Sequence, residues 1–200
     1  MLKLKIIILS IFLAICCKST FSQSNFSVGL TGLGVDFGDC DNAEIYKLKV
    51  GSNGKIVLEP GLRFGAEIYA SPITSLKFVQ NVRFDSMEKI AGSTQIMLRF
   101  RLFKVYKHSL NIGIGPQVFY RQSWQEIDGY IDEKIYESRA AQYKICWLSG
   151  ELEYNYWITK KCDLSFAINH LSPEVASFAI GVKYWISRKS NKCNTCPSFH

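Results

Sequence analysis

The stretch LNIGIGPQVFYR, residues 110–121, sorts its side chains onto two chemically different faces with a period of two. Such alternation is typical of a β-strand. One face carries the larger apolar side chains, namely Leu110, Ile112, Ile114, Pro116, Val118 and Tyr120. The other is mostly polar or small and carries Asn111, Gly113, Gly115, Gln117, Phe119 and Arg121. Whether water, a protein core or lipid meets each face determines what kind of protein this is.

The same alternation recurs along the chain and predicts an all-β fold with eight antiparallel strands connected in up-and-down order. With 200 residues, of which 48% are hydrophobic, the chain is long enough for one domain of this kind. Gly32 and Gly34 interrupt the alternation of the first strand, so we expect a β-bulge there. A short hairpin is also expected near residues 45–50. Besides 110–121, the predicted strands cover residues 24–37, 56–70, 74–84, 93–105, 142–158, 163–170 and 175–187.

The connections between these strands alternate in length. Short turns at one end and longer loops at the other are typical of single-chain transmembrane β-barrels. The pattern therefore predicts that the short turns and both termini face the periplasm and that the longest loops face the cell exterior. The long connections are 38–55 and 122–141, the medium one is 85–92, and the short ones are 71–73, 106–109 and 159–162.

Charged residues indicate which face of each strand points into the barrel. The interior of an eight-stranded barrel is just wide enough to be filled by side chains. A buried charge without a partner is costly, so we expect a network in which both signs are paired, with Glu151 and Glu153 beside Arg99 and Arg101. Glycines such as Gly113 would leave room for the long arginines. The predicted lumen charges are Glu59, Arg63, Glu67, Lys77, Arg83, Arg99, Arg101, Arg121, Glu151, Glu153 and Lys183.

This orientation places the apolar faces against lipid and predicts a plugged lumen. Period two alone also fits a soluble periplasmic barrel of the lipocalin type, in which the apolar faces line a ligand cavity and the charges face water. That ligand-binding barrel is the first alternative.

The two ends of the chain are expected to lie outside the barrel, which we assign to residues 24–187. Lys3 and Lys5, the apolar run 6–17 and a small, polar ending predict a signal peptide over residues 1–23. Residues 188–200 are predicted to form a polar periplasmic tail. Export makes nucleic acid an implausible partner for a chain with net charge +7, so anionic lipid headgroups are the expected counter-charges.

The strand pattern, the alternation of loop lengths and the Ser22-Gln23 ending of the signal resemble the small eight-stranded outer-membrane barrels with the OmpA-like transmembrane fold. The resemblance is greatest to the outer membrane protein beta-barrel domain common in Bacteroidota. It covers residues 25–187 and includes no residue motif. It implies an outer-membrane location with lipid as partner, and no catalytic residues.

Little in the sequence points to catalysis or to a cofactor. His170, with Ser172 and Glu174 nearby, could outline a hydrolytic site at the external rim, so a small lipid-modifying or proteolytic outer-membrane enzyme is the second alternative. A single rim histidine is more often interfacial, and Asp39 and Asp41 lack the spacing of a calcium loop. We therefore expect no metal, no cofactor and no enzymatic activity, and a protein partner at the external loops or on the periplasmic side.

Cysteine chemistry generates the first testable prediction. Of seven cysteines, Cys16 and Cys17 precede the expected cleavage site, which leaves five in an oxidising compartment. Because Cys162 and the pair Cys193 and Cys196 are all predicted on the periplasmic side, we expect one disulfide between the tail and the turn. Intact-mass analysis after alkylation without reductant should then find at most three alkyl groups per chain. Labelling of all five thiols would exclude the disulfide.

Overall fold

The computed structural model describes residues 23–36, 42–50, 55–131, 141–171 and 175–187. The expected signal peptide and the polar tail lie outside these residues, except that Gln23, the last residue of the expected signal, begins the first strand. In chain order the strands are β1 (Gln23–Asp36), β2 (Lys49–Val50), β3 (Ile56–Tyr69), β4 (Thr74–Phe84), β5 (Ile90–Val105), β6 (His108–Gln122), β7 (Ala141–Trp157), β8 (Cys162–Leu171) and β9 (Val175–Ser187).

The eight long strands close into an antiparallel up-and-down barrel, which confirms the predicted fold class. Each long strand pairs with the next along the chain, and β1 completes the ring by pairing with both β3 and β9. The short strand β2 lies beside the start of β3, where Lys49 is opposite Val57. It corresponds in part to the hairpin predicted near residues 45–50.

Two details of β1 and β5 show how glycine shapes the wall. The register of β1 shifts between Thr31 and Leu33, which confirms the bulge predicted at the glycine-rich segment. β5 begins at Ile90, three residues before the predicted start at residue 93. Gly92, the last residue of the predicted connection 85–92, lies within β5 opposite Val82 and Tyr120, and a Cβ there would be 2.6 Å from the ring of Tyr120 on β6. The glycine therefore accommodates an aromatic neighbour and does not mark a turn.

A second bulge changes the phase of β7. Gly115 lies opposite Ser149 and Gln117 opposite Cys146, so Pro116 faces two residues of the neighbouring strand. Proline cannot donate a ladder hydrogen bond and is tolerated at such bulges. Simple alternation predicted Trp147 on the polar side with Ser149, and this was wrong, because the extra residue of the bulge turns Trp147 outward, where it is 79% exposed.

The loop-side half of β7 rises beyond its neighbour β8. Pairing between the two strands begins at Gly150 opposite His170. Within the part of the chain that the structure describes, residues 141–148 therefore pair only with β6. We call residues 141–148 the loop-side extension of β7.

The outer surface of the barrel is apolar and its interior is charged, which is the reverse of a soluble protein. On the outside, Leu30 and Phe64 are 60% and 44% exposed, as are apolar residues around the whole circumference. On the inside, Lys77 and Arg99 are each 1% exposed. This is the arrangement of a transmembrane barrel, with an apolar band outside and a polar interior. The lipocalin-like alternative, which requires an apolar interior, was wrong.

None of the described residues belongs to a helix long and apolar enough to cross a bilayer.

The apolar band leads to a prediction about depth in the bilayer. Ile114, in the middle of β6, is 46% exposed, whereas Ile158 lies in the turn after β7 and is 52% exposed. In lipid vesicles, Ile114→Arg should lower the free energy of unfolding by about 2–4 kcal/mol, and Ile158→Arg by about 1 kcal/mol or less. Urea unfolding of the two variants measures the difference. Equal destabilisation would contradict the placement of the band.

Candidate functional site: the charged lumen and the loop end

Seven charged side chains meet inside the barrel in what we call the lumen cluster. They come from five different strands, and each occupies an inward position of its strand, which is why period-two alternation brings them together. All are buried, with the least buried, Arg63, 5% exposed. The cluster comprises four cations, Arg63, Lys77, Arg99 and Lys183, and three carboxylates, Glu67, Glu151 and Glu153.

Glu151 and Glu153 lie two residues apart on β7, so their carboxylates project side by side into the lumen. Lys77 on β4 bridges them, with its Nζ 2.8 Å from Oε1 of Glu151 and in contact with Glu153. Arg63 on β3 also pairs with Glu151, and Lys183 on β9 pairs with Glu153. Each carboxylate is therefore neutralised from more than one strand.

Glu67 on β3 anchors the opposite side of the cluster. It accepts hydrogen bonds from Lys183 Nζ at 3.1 Å, from Asn25 Nδ2 at 3.0 Å and from Ser75 Oγ at 2.6 Å. Arg99 Nη1 lies 2.8 Å from its Oε1. With four partners from four other strands, this carboxylate links β1, β4, β5 and β9 to β3.

Arg99 is the centre of the lumen cluster because its guanidinium approaches all three carboxylates. The distances are 2.8 Å to Glu67, 3.1 Å to Glu153 and 3.5 Å to Glu151. These are contacts between charges, since none of the guanidinium N–H groups is aligned for a hydrogen bond with a described residue. Gly113 on the adjacent strand leaves room for both Met97 and Arg99, because a Cβ there would lie 2.6 Å from Met97 Sδ and 3.0 Å from Arg99 Cγ.

A small cavity lies beside the cluster, against the wall formed by β1, β8 and β9. The cavity has a volume of about 10 Å³ on the scale in which one water molecule needs about that much. Arg63 and Glu153 line it on one side, and the short side chains of Ser27, Ser165 and Ala167 line it on the other. Small residues on this wall therefore balance the long charged side chains that cross from the opposite wall.

Three further predicted residues lie nearer the loop end. Arg83 Nη1 is 2.9 Å from Glu59 Oε2, and its guanidinium lies 5.2 Å from the ring centroid of Phe119. Arg121 donates to Gln142 Oε1 at 2.8 Å. Its principal ring contact is with a tryptophan of the following loop, as described below.

Arg101 lies outside the predicted network. It does not join Glu151 or Glu153 in the structure, but donates from Nη1 to the carbonyl oxygen of Pro72 at 2.8 Å and lies 5.1 Å from the ring centroid of Tyr69. Alternation holds as far as Arg101, which lies opposite Asn111 in step with Arg99 opposite Gly113. The residue is near the turn end of the strand, where Pro72 and Tyr69 are its neighbours and the carboxylates of β7 are not.

The loop end of the barrel is covered by a cap built around Trp124. This side chain is 3% exposed, and its Nε1 donates to Asp85 Oδ2 at 2.7 Å. The guanidinium of Arg121 lies 3.7 Å from a Trp124 ring centroid, and the rings of Tyr46 and Tyr130 pack edge-on at 6.0 Å and 5.8 Å. Aromatic and cation–π packing thus closes this end.

Hydrogen bonds tie three loops together beneath the cap. The side chain of Asn42 donates to the carbonyl of Ile131 at 3.0 Å and accepts from its N–H at 2.8 Å. The N–H of Lys47 donates to the carbonyl of Ser86 at 3.0 Å, and Lys89 Nζ donates to the carbonyl of Ser123 at 2.6 Å. Sequence reasoning missed this cap, for which a large aromatic residue early in the loop 122–141 was the available signal.

The remaining candidate residues do not form a site within the described residues. Cys162 begins β8 and has no disulfide there, while Cys193 and Cys196 lie outside the described residues. His170 is exposed near the loop-side end of β8, and Ser172 and Glu174 are not described.

His108 lies at the turn end of the barrel, away from the lumen cluster. Its Nδ1 is 2.5 Å from Tyr154 Oη and its ring lies 5.3 Å from that of Tyr156. This arrangement is an aromatic cluster on the barrel exterior.

Comparison with known proteins finds no matching family model and no matching curated protein. Solved structures with a similar barrel include Ail, the attachment invasion locus protein of Yersinia pestis, at 12% identity and TM-score 0.49, covering 82% of this chain and 98% of that one. The crystal structure of Neisserial surface protein A is also similar, with 6% sequence identity and a TM-score of 0.49, and the match covers 84% of this chain and 97% of that one. The N-terminal β-barrel domain of Pseudomonas aeruginosa OprF has 9% sequence identity and a TM-score of 0.48, and the match covers 80% of this chain and 96% of that one. Identities this low concern the fold alone.

The lumen cluster should respond strongly to the loss of one charge. Glu153→Gln leaves Lys183, Lys77 and Arg99 with one fewer counter-charge in the interior, so we expect a loss of about 3–5 kcal/mol in the free energy of unfolding. Glu126→Gln, at an exposed loop position, is the matched control and should change stability by less than about 0.5 kcal/mol. Urea unfolding in lipid vesicles measures both. Equal stability of the two variants would contradict the network.

Proposed function

We propose that the chain is an integral outer-membrane protein with a non-enzymatic role, a plugged lumen and an interaction surface at its loop end. The observation that carries the proposal is the inverted polarity of the wall, with apolar side chains outside and paired charges inside.

Physical chemistry favours lipid as the surroundings of this wall. Soluble monomers rarely expose contiguous apolar patches larger than a few hundred Å². Here large apolar residues such as Phe26, Phe78 and Ile180 are exposed on different strands around the barrel. Closure of the ring also pairs the backbone of the long strands internally, as the hydrocarbon region requires. An exported chain with this wall belongs in an outer membrane.

Two barriers along the lumen support a closed channel. The lumen cluster fills the interior with buried side chains that are held by partners on opposite walls. The cap at Trp124 closes the loop end with rings and hydrogen bonds from three loops. We infer that the barrel does not conduct ions and that its charged interior stabilises the fold.

The loop end offers a surface for a protein partner. The loop-side extension of β7, residues 141–148, carries Trp147 and Leu148, which are strongly exposed and offer apolar contact area. We place the short turns and both termini on the periplasmic side of the membrane and the loop end on the cell exterior.

Fractionation tests the membrane assignment. The protein should stay in the membrane pellet after alkaline carbonate extraction, and should migrate differently on gels with and without boiling, because a closed barrel resists unfolding by detergent at room temperature. A soluble periplasmic protein in the same sample, released by carbonate, is the control. Recovery of the chain in the soluble fraction would overturn the proposal.

A further inference from the structure

At the turn end of the barrel, the described residues carry exposed charge of one sign only. Within the described residues, its exposed or half-buried charged side chains are Arg101, Lys104, Lys107, Lys160 and Lys161. The carboxylate closest to the turns, that of Asp163, is 3% exposed and accepts a hydrogen bond from Trp185 Nε1 at 2.7 Å. We call the five cations the turn-end collar.

The loop end differs, because both signs occur there. Its exposed or half-buried charges in the described residues are four carboxylates against five lysines, and Lys47 lies 3.6 Å from Glu88. Among these described residues the net charge is therefore +1 at the loop end and +5 at the turn end. The loop-end residues are Glu44, Glu88, Glu126 and Asp128 with Lys47, Lys49, Lys55, Lys89 and Lys144.

Aromatic and apolar residues lie directly beside the turn-end collar. Tyr106, at the tip of the β5–β6 turn, is 91% exposed with a φ of 50°. A tyrosine in this left-handed region is unfavourable compared with glycine, so its presence at the tip points to a use for the side chain. Phe103 and Val105 precede it and are also exposed.

At the turn end, aromatic and cationic side chains are interleaved along the chain, as in the run Phe103, Lys104, Val105, Tyr106 and Lys107. The membrane interface is where aromatic residues concentrate and where the phosphates of lipid headgroups lie. Lysines near a membrane surface are attracted to anionic lipids. The collar lysines are spread over separate turns, so each can meet a different lipid. This arrangement suits headgroups that each carry one negative charge on a phosphodiester.

We propose that the turn-end collar binds the phosphodiester headgroups of anionic phospholipids in the leaflet that it faces. The inference rests on the proposed membrane location and names the lipid class at one end of the barrel. The collar thereby fixes the vertical position of the barrel and selects anionic over zwitterionic neighbours.

The experiment compares two variants that each remove three positive charges. The full-length chain, recovered from membranes, is placed in phosphatidylcholine bilayers with a trace of spin-labelled phosphatidylglycerol or spin-labelled phosphatidylcholine. Lys107→Gln/Lys160→Gln/Lys161→Gln alters the collar, and Lys47→Gln/Lys49→Gln/Lys55→Gln is the matched loop-end control. Electron spin resonance then measures the fraction of each lipid held at the protein surface.

The wild-type protein and the loop-end control should favour phosphatidylglycerol by about threefold or more, and the collar variant should lose most of this preference. Raising the salt concentration should weaken the wild-type preference, because screening shortens the reach of surface charges. Wild-type preference in the collar variant, an equal loss in both variants, or no preference in the wild type would overturn the inference.

The heat-dependent gel shift of each sample separates this inference from the proposed function. If the wild-type barrel inserts into bilayers and shows the heat-dependent gel shift but has no lipid preference, the membrane assignment stands and only the proposed lipid binding by the collar is overturned. A wild-type chain that fails to insert overturns both.

Discussion

Neutralisation of charge inside a narrow barrel is the constraint on which the rest of this structure depends. Glu67, Glu151 and Glu153 are almost completely buried, and the interior can hold them only because four cations reach them from other strands. The long charged side chains also need small neighbours in so narrow an interior, and Gly113 leaves room for Arg99. The apolar exterior follows as well, because a strand that turns its charges inward must turn its alternate residues outward.

The two ends of the barrel solve different problems with different chemistry. At the loop end, one buried tryptophan gathers three loops, and Asp85 fixes it by accepting hydrogen bonds from Trp124 and from the N–H groups of Met87 and Lys89. At the turn end, connections of a few residues leave little chain to pack, and lysines and aromatic side chains project outward. The described parts of the longer connections are therefore held to one another by tertiary contacts, whereas the short turns are closed by local backbone hydrogen bonds.

Much of this architecture could be predicted from the sequence because alternation is a local property. The eight strands, their order and the inward position of Glu67, Lys77 and Lys183 follow from a period of two. The two failures have different causes. Trp147 lies at a register shift, which reverses the inference drawn from phase. Arg101 keeps the predicted phase but contacts Pro72 and Tyr69 near the turn end instead of the carboxylates of β7. The cap around Trp124 depends on contacts between separate loops, for which no periodic signal exists.

The lumen cluster joins residues that are far apart along the chain. Arg63 and Glu151 are separated by 88 positions, and Lys183 and Glu67 by 116. Such pairs form only after many strands have aligned, so topology delays them relative to the local hairpins. Until β9 meets β1, the carboxylates of β7 face a groove without all of their counter-charges and require water. The assembling chain must therefore keep its future interior hydrated while its exterior enters lipid, and ring closure is the step that expels that water.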